Sequence, residues 1–376
     1  MNNFYQTSDE TKEKIIDLID SNNISVVDGG ILTEFEEKSA SLFSHSYGVA
    51  TCNGTSAIHL AYFAIGIEKN DEVLMPTYGF HAMASPLLQL GGNPIFCDID
   101  KETLTIDVND MKKRLTSKTK AIMVFQPWGN VANIDELVSF AKKHNLLLLS
   151  DSSHAPTAKW QNKPLGEYFD IICASFGKGK LISGGELGVF TTNNREFRDR
   201  ALLYSHTNRV PKAYLTDKYK EISNIVGIKY RPHPFAITLA LEQMDTFDER
   251  NKVLLENISK LLNVISEIKG ISFQNTYNQA SRNYWKIILV SNTEIIEQIG
   301  KLAIKHNQKI ESNHYKTLLY EDSIFTEYYK ISQTNFPVAE QLKNKIIQID
   351  AISLFDKKVL DKYIELFSEL KGDLNE

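Results

Sequence analysis

The chain has 376 residues, of which 42% are hydrophobic and 24% charged, and a formal net charge of -5. That length gives two or three domains' worth of chain and a core large enough to enclose a cofactor. The balanced composition excludes a disordered chain, and the mild acidity argues against a nucleic-acid binder.

The N-terminus begins Met1-Asn2-Asn3-Phe4-Tyr5-Gln6 and then turns charged. It lacks the basic start and apolar stretch of a signal peptide. No run of about 18 apolar residues follows, so no membrane span is expected. Cys52, Cys97 and Cys173 are odd in number and far apart, which gives neither a disulfide framework nor zinc spacing. Buried free thiols in a reducing cytoplasm, with no metal, are the expectation.

Taken in chain order, Ser56–Ile67 shows helical spacing, with Gly54-Thr55-Ser56 opening the helix. Apolar runs then predict strands at Glu72–Met75, Asn93–Cys97, Ala121–Phe125, Leu146–Ser150, Ile171–Ser175 and Leu187–Thr191. Amphipathic stretches such as Ile134–His144 lie between them. This alternation predicts an α/β domain with a mostly parallel sheet. Arg195–Asn208 and Lys218–Tyr230 are polar and aromatic. Pro234–Ile268 reads as one or two long helices, with Ala236, Leu239, Ala240, Gln243 and Met244 at helical spacing. A strand at Tyr284–Val290, a helix at Thr293–His306 and an amphipathic stretch at Asp356–Leu370 complete a second unit. The expected division is a large domain, 1–245, and a smaller C-terminal α/β domain, 246–376.

Four local signals fall near the ends of predicted strands, the edge where open α/β sheets bind ligands. Gly54, Thr55 and Ser56 at a helix start suit an anion, or are an ordinary N-cap. Asp151 follows a buried strand, where a carboxylate needs a partner; a protonated pyridine nitrogen would serve, and helix capping is the alternative. His154 beside it is a further candidate, or a core histidine bonded to backbone. Lys180 lies in the Gly-rich stretch Ser175–Glu186 between two apolar runs. Partial desolvation there would lower its pKa and make it a nucleophile toward aldehydes. A solvated lysine or a phosphate loop are the alternatives, but a Walker motif fails, because Leu181 follows the lysine and Ser175 stands five residues before it. Phe80, in Pro76–His81, could stack on a flat cofactor or pack in the core.

The order of these signals resembles the DegT/DnrJ/EryC1/StrS sugar aminotransferases. The matching stretches are Asn53–Ala61, Asp71–Phe80, Asp98–Asp100 with Thr105–Asp107, Asp151–His154 and Ser175–Glu186. Weaker similarity runs through Gly227–Asp248 to 313–315 and Phe336–Glu340. The resemblance implies fold type I and pyridoxal 5'-phosphate. It makes Lys180 the lysine that carries the cofactor as a Schiff base, with Lys178 two residues off. It makes Asp151 the pyridine-nitrogen partner and places His154 near the phenolic oxygen. Phe80 becomes the stacking aromatic, and Thr55, Ser56 and Ser175 the phosphate cradle. Two stretches depart from the family. The usual Gly-Glu-Gly-Gly reads Gly185-Glu186-Leu187-Gly188, and Lys229 replaces the asparagine that reaches the neighbouring subunit's cofactor.

The implied activity is transfer of an amino group from L-glutamate to a nucleotide-linked keto-sugar, in aminosugar or surface-polysaccharide biosynthesis, by a cytoplasmic homodimer. Amination of a small phosphorylated ketone, a non-catalytic regulatory protein and an α/β nucleotide binder without the cofactor are the rivals. Dehydrating relatives have histidine in place of the lysine, so Lys180 argues against dehydration.

Overall fold

The computed structural model describes residues 4–26, 29–206, 209, 215–220, 227–312 and 317–374. Residues 313–315, and parts of the stretches at 195–208 and 218–230, lie outside the described residues.

Seven strands form the main sheet: β1 Tyr47–Thr51, β2 Glu72–Pro76, β3 Asn93–Cys97, β4 Thr119–Phe125, β5 Leu147–Asp151, β6 Ile171–Ser175 and β7 Gly188–Thr192. Their order is β1-β7-β6-β5-β4-β2-β3. Pairings from β6 through β3 are parallel, and β7 alone runs against its neighbours. Both sheet faces are covered, which is why the strands read as continuous apolar runs. In β4, Ala121, Met123 and Phe125 enter one apolar layer, and Ile122 and Val124 the other.

All six expected strands are present, with ends shifted by at most two residues. Strand β1 was not expected. Its sequence, Tyr-Gly-Val-Ala-Thr, is short and weakly apolar, and it is fixed by antiparallel pairing with β7. The first helix of the motif region starts at Gly54, within the expected Gly54-Thr55-Ser56 opening, and ends at Ala64, short of the expected Ile67. Pro234–Ile268 resolves into two helices, Pro234–Asp245 and Phe247–Ser266, parted at Thr246.

Local chemistry sets the helix ends. Ile134–His144 has Asn133 as its cap, Asp135 and Glu136 in its first turn and Lys142, Lys143 and His144 in its last. These charges oppose the helix dipole at both ends. A left-handed Asn145 ends it. The C-terminal part holds a second sheet, ordered Ser272–Phe273, Lys286–Val290, Ile346–Asp350 and Ile310–Ser312, with every pairing antiparallel. Helices Phe247–Ser266, Thr293–Lys305 and Lys357–Asp373 accompany it.

Cys97 and Cys173 are buried, whereas Cys52 is partly exposed because it begins the turn after β1. Among the described residues no helix is long and apolar enough to cross a membrane. Nor does any group of three or more His, Cys, Asp or Glu there suit a metal ion.

One close approach carries much of this arrangement. A Cβ on Gly188 would lie 2.4 Å from the Asn53 carbonyl carbon and oxygen. Gly188→Ala should therefore force β7 away from the Asn53 turn and destabilise the chain by about 2 kcal/mol. A urea melt with an unchanged midpoint would show that the contact gives way freely.

Candidate active site

The carboxyl ends of β4, β5 and β6 open on a cavity of about 250 Å³. Each strand end delivers a side chain to it: Phe125 from β4, Asp151 from β5 and Ser175 from β6. The turn after β1 adds Asn53, Gly54 and Thr55, and the segment after β2 adds Phe80. Lys180 enters from the hairpin joining β6 to β7, and Trp285 from the second sheet.

The helix start is pinned beside β6. Asn53 is extended, and its side chain accepts the Ser56 amide at 2.9 Å. A Cβ on Gly54 would lie 2.7 Å from the Ser175 Cβ, so only glycine permits this approach. Gly54 and Thr55 reach the cavity. Ser56 is buried and does not line it; its hydroxyl lies 3.4 Å from Cys52 Sγ.

Asp151 is 4% exposed and accepts the Ser153 amide at 3.0 Å. Burial raises its pKa, opposed by the hydrogen bonds from Ser153 and the charge of Lys180. It forms no ion pair with a described residue. A buried carboxylate of this kind is a strong site for a cation.

His154 Nδ1 accepts the Trp128 amide at 3.1 Å. In the neutral ring this puts the proton on Nε2. Trp128 has φ 55, and the Gly129 that follows has φ 96. A Cβ on Gly129 would meet the Asn283 carbonyl oxygen at 2.4 Å, so the turn fits only because position 129 is glycine. Across that contact Asn283 N donates to Gly129 O at 2.9 Å, and Trp285 N to Trp128 O at 3.1 Å. The indole of Trp285 is thereby laid on the His154 ring, with centroids 3.7 Å apart and planes 25° from parallel.

Lys180 Nζ sits 4.3 Å from the centroid of that indole. Burial lowers its pKa to about 8; the Asp151 charge opposes the shift and Lys286 adds to it. Lys178 is exposed and is not part of the cavity lining. Phe80 keeps 47% of its surface exposed. Lys229 is also exposed and lines no part of the cavity. Its neighbour Tyr230 is fixed, accepting the Cys52 amide at 2.8 Å and contacting His59 Nδ1 through its hydroxyl at 2.7 Å.

Residues 6–367 match the model of the DegT/DnrJ/EryC1/StrS aminotransferase family. The chain belongs to this family. It is 33% identical over 381 residues to the GDP-perosamine synthase of Escherichia coli O157:H7, covering 98% of both chains. To the GDP-perosamine synthase of Vibrio cholerae it is 27% identical, over 89% of this chain and 88% of the relative. The structure of an aminotransferase from Psychrobacter cryohalolentis superposes with a TM-score of 0.89 at 20% identity, covering 99% of this chain and 98% of that one. The fold is the fold-type I transferase architecture that the resemblance implied.

Within this aminotransferase, all the expected site residues except Ser56 line one cavity. Sequence reasoning did not reach Trp285, which it placed only within a strand. It also passed over Phe125 and Ser153. Phe125 and Trp285 carry no local motif and are brought in by sheet order and by the pairing of 283–285 with 127–129, whereas Ser153 lies within the Asp151–His154 stretch, which marks no separate role for it.

The lowered pKa has a direct consequence. Below about pH 8 the Lys180 amine is protonated and unreactive; above it the neutral amine is present. Labelling of the apo protein with a small amine-directed arylating reagent should therefore give a Lys180 peptide whose rate levels off just above pH 8. A rate still climbing through pH 10 would show a solvated lysine.

Proposed function

We propose that this aminotransferase uses pyridoxal 5'-phosphate to move an amino group from L-glutamate to a keto-sugar carried on a nucleoside diphosphate. The observation that supports it best is the pairing, in one cavity, of a buried carboxylate lacking a cation with an amine of lowered pKa. The donor set fits the cofactor. A protonated pyridine nitrogen is the counter-charge Asp151 lacks, and Phe80 offers an aromatic face. Gly54 and Thr55 at a helix N-terminus, with Ser175 packed beside them, suit a phosphate. The sequence of the Escherichia coli relative makes a GDP-linked keto-sugar the first substrate to try.

The cofactor supplies an aldehyde for amine condensation and a ring that withdraws electrons from the reacting carbon. The chain supplies the rest. Lys180 Nζ, in its neutral form, would take the proton from the donor's α-carbon and, as the ammonium, would give a proton to the sugar carbon that receives the amine. Asp151 would hold a proton on the pyridine nitrogen by charge. His154, with its proton on Nε2, offers a donor to an oxygen on the ring. The Trp285 wall limits water around the amine. Residues 1–245 are proposed as the cofactor-binding unit and 246–376 as the smaller unit. The three free cysteines suit the cytoplasm.

The test is to load the protein, treat it with L-glutamate, remove the excess and add keto-sugar nucleotides one at a time. Recovery of the initial absorption, with an aminosugar nucleotide seen by mass, is expected from at least one. No spectral change with any amino donor would refute transamination. Asp151→Asn should keep the cofactor and lose about 100-fold or more in turnover. Near wild-type turnover would remove Asp151 from the chemistry.

The active unit is proposed to be a homodimer in which Lys229 meets an anionic group in the neighbour's cavity. Supporting this, Lys229 is exposed on a segment fixed beside the cavity's helix, and the adjacent Ile228 leaves an apolar side chain 44% exposed. If Lys229 holds cofactor phosphate, Lys229→Ala should weaken cofactor retention. If it holds substrate phosphate, retention should persist while the apparent substrate affinity falls. Unchanged behaviour in both, or an active monomer by light scattering, would refute the role.

A further inference from the structure

The hairpin that carries Lys180 is bonded across its base, with Gly184 N donating to Phe176 O at 2.8 Å, and is open at Gly179. Gly179 has φ 81, and a Cβ there would meet nothing within 4 Å. Within the turn, Lys180 N donates to Gly177 O at 3.2 Å and Lys178 N to Gly185 O at 2.7 Å. Leu181 and Ile182 beyond the lysine are buried in the core, so the freedom that the turn leaves to Lys180 is concentrated at Gly179.

Two aromatic donors from distant parts of the chain close on it. Tyr5 Oη donates to the carbonyl oxygen of Lys180 at 2.7 Å. Trp285 Nε1 donates to the carbonyl oxygen of Gly179, also at 2.7 Å. Both donors are themselves anchored. Phe4, beside Tyr5, is buried, meets Phe355 edge-on at 5.4 Å and lies under the Arg250 guanidinium at 4.4 Å. Arg250 also donates to the Phe4 carbonyl at 3.1 Å. Trp285 is held by its backbone bond to Trp128 and by its stack on His154.

We propose that Tyr5 and Trp285 are positioning residues for Lys180. By holding two successive carbonyls from two sides, they fix the direction in which the lysine enters the cavity. Trp285 adds a second constraint, because its indole both stacks on His154 and lies 4.3 Å from the Lys180 amine. One side chain therefore sets the spacing of both groups. The N-terminal segment, far from the motifs in sequence, becomes part of the catalytic apparatus through a single hydroxyl. The inference rests on the assignment of Lys180 as the cofactor lysine.

Tyr5→Phe removes one oxygen and keeps the ring; Trp285→Phe removes the indole N–H and keeps an apolar wall. The wild type and both variants are compared in melting temperature, in the rate at which apo protein takes up pyridoxal 5'-phosphate, and in kcat and KM with L-glutamate. Each variant should melt within about 4 °C of wild type, as expected for loss of one hydrogen bond. Uptake and kcat should each fall about five- to tenfold, with KM for L-glutamate unchanged. A purely structural role would move the melting temperature without this split. A variant whose uptake and kcat stay within twofold of wild type overturns the proposal for that residue. If Trp285→Phe does not fold, Tyr5→Phe decides alone. Borohydride reduction and peptide mapping of the wild type separate the two levels. A pyridoxyl group on Lys178, or on no lysine, refutes the functional assignment rather than the clamp.

Discussion

Asp151 and Lys180 share a cavity from which much of the water is excluded, and each is shifted toward its neutral form. Holding a carboxylate in such surroundings without an ion pair costs several kcal/mol unless hydrogen bonds compensate. Here compensation is partial, from the backbone amide and the side chain of Ser153. The chain can sustain that cost because β5 is a central strand, paired on both sides by β4 and β6. A surface loop would relax and let the carboxylate reach solvent. The rigidity of the sheet is what keeps the charge where it is reactive.

The same constraint explains where glycine is required. Gly54 against Ser175, Gly188 against Asn53 and Gly129 against Asn283 are three places where backbones approach too closely for a Cβ. The first two draw the helix N-terminus, β6 and β7 together around the cavity floor. The third lets the second sheet reach in with Trp285. The cavity is thus assembled from segments at residues 53–55, 125, 151–154, 175–180 and 285. Their common feature is position at the carboxyl edge of the sheet, where parallel strands leave a crevice.

His154 shows how a single side chain is fixed by elements that do not resemble one another. Its Nδ1 is engaged by a left-handed Trp128, one face lies on Trp285, and its ring meets Phe125 edge-on at 5.0 Å. A histidine alone among apolar residues would be free to exchange tautomers. The backbone amide removes that freedom, so the cavity is presented with one defined donor.

The strands at Asn93–Cys97 and Ile171–Ser175, and the helix at Ile134–His144, were legible residue for residue, because periodicity, caps and charge bias all agree there. Gly54, Thr55, Asp151, Ser175 and Lys180 were legible for a related reason: a ligand-binding strand end carries its chemistry within a few residues of the strand that positions it. Strand β1 was not, since its weak apolar pattern becomes a strand through pairing with β7. Ser56 was expected at the cavity, but helix geometry turns its hydroxyl toward Cys52. Trp285 and Tyr5 carry no local signal at all. Their role is created by hydrogen bonds across 106 and 175 residues of chain. By itself, then, the sequence determined the α/β alternation, the family and the carboxylate and amine that line the cavity. The tertiary structure alone decided which way the lysine points, which histidine nitrogen keeps its proton and what wall they face, because those depend on contacts whose entropy is overcome only when the whole sheet has formed.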